Sequence, residues 1–562
     1  MRRPTACDRD RSVAVRPHGF FRGGNYLASI LKMSVVVLTY SFTIQTATAD
    51  LRLPAIISDH AMIQAGKPVA IWGWAKPEAR VKVAFVGNGS SPANGFEVLS
   101  DGSGKWSGHL PAMEAGMAGQ LQISSDKDAP ETVNDVLVGE VWLGGGQSNM
   151  DYRISGKGGS GGLDLENPEE VEQTAQNLTI AQKEADAATP PIRYFEVTSP
   201  GADQPMDDIK GSWVLGDSKN VGTFSAVAWN FAVAVQNKTH LPVGLVVSCK
   251  GGTPVEAWMS KEALNANPAG AAVLDRHNKK LAEMTPQKVA QLQADMKAWI
   301  ATNPTNWRLR LGKKPAIPYT TAFWGVPVRL YNGMIHGLQP YTLRGIIWYQ
   351  ADGNMGNPQE YSDLFQGLIK QWRAEWKEQL PFYFVGLNNM WGENATRPVN
   401  NNPVCILREQ QYGGLKQPAT GIAGAIDVGS ATNPHFPNKK PVGERLAGLA
   451  LRDVYNQPGQ VNSPMFQSFT VEANKVRLKF TDAGGLRIRG GGALTGFAIR
   501  SGTGDWVWAT GKIEGQDIVV WNDQIPAPAA VRYAWAPNPP ISVENGAGLP
   551  LLPFRTDTDS KE

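Results

Sequence analysis

The 562 residues include 42% hydrophobic and 19% charged side chains, with 54 basic against 51 acidic groups for a net charge of +3. This balance is globular, argues against extended disorder, and leaves no basic run beyond the N-terminus for a nucleic-acid partner. So long a chain exceeds one hydrophobic core, so roughly three to four domains are expected, and 60 Gly, 39 Pro and 18 Trp favour β-rich, loop-rich architecture. The tryptophans suit sugar stacking, although packing inside a core is their commoner use.

In chain order, arginines and Lys32 precede the apolar run Met33-Ser-Val-Val-Val-Leu-Thr-Tyr-Ser-Phe42, and Ala47-Thr-Ala49 supplies small residues ahead of Asp50. This reads as a signal peptide over 1–49 and predicts export, to the periplasm or beyond. A start at Met33 would lose the positive n-region, so the longer form is expected. The run is too short and too interrupted for a membrane span, and no other segment approaches the roughly 18 apolar residues required.

Short alternating runs such as Val69-Ala-Ile-Trp-Gly-Trp74 and Val81-Lys-Val-Ala-Phe-Val86 predict an antiparallel β-sandwich over 50–138. The pattern then changes. Apolar strands are expected over 136–143, 243–248, 345–349, 382–387 and 424–428, alternating with helices over 226–237, 286–301, 360–376 and 441–453. Buried strands alternating with helices indicate an α/β domain with a parallel sheet over 139–455. Alternation returns in Val476-Arg-Leu-Lys-Phe480 and Asp517-Ile-Val-Val-Trp521, so a β domain is expected over 456–562.

Cys7 lies in the expected leader, and Cys249 and Cys405 are far apart, so no disulfide framework is legible. Cys249 ends the apolar run Gly244-Leu-Val-Val-Ser-Cys249 and reads as a small buried hydrophobe.

In open α/β sheets, sites form at the carboxyl ends of the strands, which directs attention to four loops. The first, Gly144-Gly-Gly-Gln-Ser148-Asn-Met150, would turn tightly and expose a serine whose amide could help hold an oxyanion. Alone it is weak, since such turns are more often structural, and it is neither a G-x-S-x-G elbow nor a phosphate-binding loop. The second, Lys250-Gly251-Gly252-Thr253-Pro254, offers backbone amides or is an ordinary turn. The third, Gln350-Ala-Asp352-Gly-Asn354, carries amide donors and a carboxylate. The fourth, Asn433-Pro-His435-Phe-Pro437, carries an imidazole. Together they hold the inventory for acyl transfer.

Among seven histidines, His18 lies in the leader, His60 and His109 in the N-terminal β region, and His240 and His277 in connecting segments. His336 precedes a strand and reads as a lining or structural residue. His435 is the better general base.

The strings Gly-Gln-Ser-Asn-Met at 146–150, Gly-Gly-Thr-Pro-Val-Glu-Ala-Trp at 251–258, Leu-Tyr-Asn-Gly-Met-Ile-His at 330–336 and Trp-Tyr-Gln at 348–350 resemble the bacterial sialate O-acetylesterase family. That family belongs to the SGNH-type carbohydrate esterases. The likeness extends from Leu53-Pro-Ala-Ile-Ile-Ser-Asp59 to Pro553-Phe-Arg-Thr-Asp557, nearly the whole mature chain. It implies an SGNH-like α/β esterase with helices on both faces of the sheet and Ser148 as nucleophile.

Two departures stand out. Relatives commonly carry Gly-Glu-Ser-Asn where this chain has Ala351-Asp352-Gly353-Asn354, and many carry Asp two residues before the histidine, where it has Asn433. An amide holds an imidazole but does not stabilise an imidazolium by charge. Asp352 is therefore expected to be the acid, with Asn433 orienting and Asp427 as a substitute.

The expected mechanism is attack by Ser148, His435 as base and then acid, and an oxyanion held by the amides of Ser148 and of Gly251 or Gly252 and by the side chain of Gln350. Asn354 and Arg408 are expected to contact substrate, with Arg344 a further cation for a sialate carboxylate. No cofactor or metal is called for, and acetylated carbohydrate is the expected partner. Sequence leaves open an acetyl esterase on xylan-type polysaccharide, and a weakly catalytic carbohydrate-binding protein on the same scaffold.

Overall fold

In the computed structural model, residues 51–558 are described, apart from 89–93, 160–161, 164, 166, 303–314, 391, 393–394, 399 and 401. The expected leader, with Cys7, His18 and Met33, lies outside the described residues. The first alternating runs form strands β1 (Met62–Gln64), β2 (Val69–Trp74), β3 (Arg80–Gly87), β4 (Asn94–Leu99), β5 (Lys105–Leu110) and β6 (Ala118–Ser125). Along β3, Val81, Val83 and Phe85 point inward while Arg80 and Lys82 face water, the period-2 pattern of a half-buried strand. β3 pairs antiparallel with β4 and β6, β2 pairs with β5, and Ile71, Trp106 and Leu121 join the same apolar core.

Strand β7 (Glu131–Gly146) joins this region to the next. Its first half pairs antiparallel with β6 and parallel with β1. Its second half is the centre of a sheet ordered β13-β12-β11-β7-β10-β8-β9. Here β8 is Arg193–Glu196, β9 Trp213–Leu215, β10 Val243–Cys249, β11 Gly345–Tyr349, β12 Phe382–Val385 and β13 Thr420–Ala423. The expected division after residue 138 thus falls inside one continuous strand.

All neighbours in this sheet are parallel except β8 and β9. Helices α1 (Pro168–Ala187), α2 (Ala226–Thr239), α3 (Lys261–Asn265), α4 (Pro268–Ala282), α5 (Pro286–Thr302), α6 (Tyr361–Trp376), α7 (Pro403–Gln411) and α8 (Lys440–Asp453) lie between and around the strands. Alternate residues of each strand feed opposite cores. Val141 and Leu143 of β7 and Ile346 and Trp348 of β11 pack with Leu364, Phe365 and Trp372 of α6. Trp142 and Ile347 pack on the other face with Val227 and Phe231 of α2 and Leu446 of α8. Burial on both faces explains why these strands read as unbroken apolar runs.

The strand expected over 424–428 is displaced: β13 is Thr420–Ala423, and the chain turns at 426–428. The buried Asp427 carboxylate there is held by Arg445 and Arg489, a polar anchorage that a sheet interior does not supply.

After α8 the chain forms two four-stranded sheets. One is ordered Met465–Glu472, Lys475–Thr481, Asp517–Trp521, Thr510–Glu514 and the other Val507–Trp508, Phe497–Arg500, Ala530–Tyr533, Phe554–Arg555. They enclose a separate core around Leu478, Ile499, Val520 and Val531. No helix of the described residues is long and apolar enough to cross a membrane.

Candidate active site

Strands β7, β10 and β11 end level. Gly146 is in register with Cys249 on one side and Tyr349 on the other, so the loops bearing Ser148, Gly251 and Asp352 leave the sheet at one height. Gly146 permits this with φ +135°, where a Cβ would stand 2.2 Å from the Tyr349 carbonyl oxygen. The turn closes as Gln147 N–H donates to that carbonyl and the N–H groups of Met150 and Asp151 donate to Gln147 O.

Side chains then tie the loops together. Gln147 Oε1 accepts from Gly353 N–H at 3.2 Å. Asn149 Nδ2 donates to Pro434 O at 3.1 Å, so the neighbours of Ser148 and His435 are bonded directly. Asn354 Oδ1 accepts from Val255 N–H at 2.9 Å, joining the second loop to the third. A Cβ at Gly353 would lie 2.3 Å from Thr253 O, so a glycine there lets these two loops touch. Ser148 is buried at the base of this arrangement and His435 is half-buried.

A cavity of about 320 Å³ opens beside these loops, walled by Gly252, Gly353, Asn354, Tyr319, Phe323 and Lys280. Gly252 has φ +69° and open space over its Cα. Asn354 donates one amide hydrogen to Glu256 Oε2 at 2.7 Å and presents its face to the cavity.

Four sequence expectations are corrected. Gln350 is not an oxyanion donor: it is buried, and its Nε2 donates to Thr253 O at 3.1 Å and to Asn354 Oδ1 at 2.9 Å, which uses both amide hydrogens. Arg408 does not contact substrate. It is fully buried and donates to the carbonyls of Leu387, Asn388, Ala536 and Pro537, clasping the α/β region to the C-terminal β region. Burial lowers its pKa to about 10. Arg344 is likewise engaged, with Glu140 and Ala65 O. Asp427 is held by its two arginines, so it is no substitute acid. His336 hydrogen-bonds Met206 O. Burial pushes the Cys249 thiol well above its ordinary value, away from the thiolate a nucleophile needs.

Asp352 stands on the third loop, where burial pushes its carboxyl up to about 6, opposed by its own N–H, that of Gly353 and the Lys439 ammonium. Asn433 touches the backbone of the His435 loop: its Oδ1 accepts from His435 N–H at 2.9 Å, and its Nδ2 donates to Glu170 Oε2 at 2.6 Å. Lys439 is buried, donates to Asn149 Oδ1 at 2.5 Å, and lies 3.4 Å from the Phe436 ring centroid. Sequence reading missed Glu170, Lys439 and Asn149. Asn149 was legible within the string at 146–150. Glu170, in the first turn of α1 behind the Asn167 cap, carries the signature of a solvated helix end.

A parallel α/β sheet with a glycine-turned serine, an imidazole loop and a glycine-rich loop at its carboxyl edge defines a carboxylic ester hydrolase. No family model matches the chain. It is 27% identical over 410 residues to the sialate O-acetylesterase of Rattus norvegicus, covering 68% of this chain and 65% of that one, just under two thirds of the rat protein's length. With the sialate O-acetylesterase of Homo sapiens it shares 25% identity over 474 residues, covering 78% of this chain and 77% of the other. The solved structure of a carbohydrate acetylesterase from Xanthomonas citri superposes with a TM-score of 0.72 at 31% identity, covering 91% of this chain and 100% of that one. The chain belongs to the family of this carbohydrate acetylesterase and is similar in sequence to the sialate O-acetylesterases.

Proposed function

We propose that this protein is an exported serine esterase that hydrolyses O-acetyl esters on carbohydrate, with O-acetylated sialate as its substrate. Ser148 Oγ attacks the acetyl carbonyl while His435 takes its proton. The oxyanion is held by the N–H groups of Ser148 and of Gly251 or Gly252, with Asn354 Nδ2 replacing Gln350 as the amide donor. His435 then protonates the departing sugar oxygen as its bond to the acetyl carbon breaks, leaving acetyl-Ser148, and water activated by the same imidazole releases acetate. Asp352 stabilises the imidazolium in both steps.

The observation that carries this reading is the level ending of β7, β10 and β11 around Gly146, with Asn149 bonded to Pro434. The cavity beside Gly252 and Asn354 gives the sugar a place, with Tyr319 and Phe323 as apolar walls. Export rests on the sequence over 1–49.

A second reading, acetyl esters on a neutral polysaccharide, is favoured by the engagement of Arg344 and Arg408, the two cations a sialate carboxylate was expected to use. Acetate release from O-acetylated sialosides and from acetylated xylan, each with wild type and S148A, tests both. Release from the sialoside alone supports the first reading, release from xylan alone the second. Acetate release equal in wild type and S148A would overturn the mechanism, and no turnover even of 4-nitrophenyl acetate would leave the carbohydrate-binding protein.

A further inference from the structure

Glu170 combines two features that do not belong to a solvated helix end. Its side chain is buried, with the residue 6% exposed, and it bonds the loop of the general base 263 positions away. One oxygen, Oε2, accepts from Asn433, whose own Oδ1 accepts from the His435 N–H. The other, Oε1, is also buried and has no hydrogen-bond partner among the described residues. A carboxylate removed from water with an unused oxygen is costly, and a fold keeps one where its charge is used.

The charge has a counterpart. The charged groups acting on Lys439, in the turn before α8, are Glu170 from α1 and Asp352 from the loop after β11, and the phenol rings of Tyr152 and Tyr349 lie 5.2 and 5.9 Å from its Nζ. Burial pulls the Lys439 ammonium well below its ordinary value, and Glu170 and then Asp352 oppose that. With one buried cation and one carboxylate, the anion needed by an imidazolium would be neutralised. With two carboxylates, one negative charge remains.

We propose that Glu170 is a positioning residue of the esterase: it anchors the His435 loop through Asn433 and balances Lys439, leaving Asp352 to stabilise the imidazolium. This rests on the reading of Ser148 and His435 as nucleophile and base. It also gives Asn433 a physical reason. An aspartate there would set two carboxylates face to face across the 2.6 Å bond, whereas the amide donates to one and still accepts from the His435 N–H.

The test is E170Q, which keeps an acceptor for Asn433 and removes the charge. With 4-nitrophenyl acetate, kcat is expected to fall about tenfold or more with KM within about twofold. The acid limb of kcat/KM moves to lower pH, because an imidazolium with less negative charge near it loses its proton more readily. The exchange E170Q/N433D moves the carboxylate across the same bond and is expected to recover kcat to within about threefold of wild type. N433D alone, with both carboxylates present, loses at least as much as E170Q. A wild-type rate and pH profile in E170Q would overturn the proposal, as would an exchange variant no better than E170Q. If E170Q does not fold by circular dichroism, N433D decides, and a wild-type rate there overturns the proposal. Turnover by S148A equal to wild type would instead refute the esterase reading itself.

Discussion

Ser148 is delivered by backbone, His435 by side chains. The serine turn follows from strand register, the positive φ of Gly146 and hydrogen bonds to the Tyr349 and Gln147 carbonyls, all within a few residues or on the adjoining strand. The base loop is held from outside: Asn433 by Glu170, Pro434 by Asn149, Pro437 by Asn177, and the turn before α8 by Lys439. A backbone-built turn tolerates changes in its surroundings and fails when its glycine changes. A loop built by side chains fails in graded steps, one charge or amide at a time.

The largest contrast is expected at the serine turn. S148A should lower kcat by about 10³-fold or more while leaving the unfolding midpoint within a degree or two, because the turn does not depend on the hydroxyl. G146A should do the opposite. A Cβ 2.2 Å from Tyr349 O, at a φ that side chains rarely adopt, is expected to destabilise the chain by about 3 kcal/mol in denaturant titration. If G146A is as stable as wild type, the turn is not set by its backbone.

On the base side, D352N should lower kcat by about 10²-fold with little change in fold, since the change is nearly isosteric. Full activity in D352N would remove Asp352 from the mechanism.

The smallest effect is on stability. The folded chain holds the Asp352 proton up to about 6, against an ordinary value of 3.8. Its contribution is therefore fully present below about pH 4 and is lost as pH rises through about 6. D352N, with no proton to lose, should be more stable than wild type at pH 7 by about 1–3 kcal/mol and show no such advantage at pH 4. In wild type, kcat/KM should fall as pH drops below about 6, where Asp352 becomes neutral.

The same division explains what the sequence revealed. The β, α/β, β order, the strands around Val141, Val246 and Ile346, and the serine turn were legible because apolar periodicity and glycine placement are local signals. The continuity of β7 was not, because its polar first half and buried second half look like separate elements. The end of β13 was misplaced because Gly424-Ala-Ile-Asp-Val is apolar enough for a strand, while the arginines that hold Asp427 lie 18 and 62 residues further on. Arg408 is expected at the substrate and Gln350 at the oxyanion, yet both serve buried backbone and amide groups. Glu170 and Lys439 were invisible because burial of a charge depends on its distant partner, which no local pattern encodes.

The most direct test of the central claim is covalent labelling of the full chain with an organophosphorus serine-hydrolase reagent, followed by mass spectrometry of its peptides. One adduct per chain, on the peptide carrying Ser148, lost in S148A and strongly slowed in H435A, is the expected result. An adduct on another residue, or full esterase turnover with Ser148 unmodified after exhaustive treatment, would contradict it.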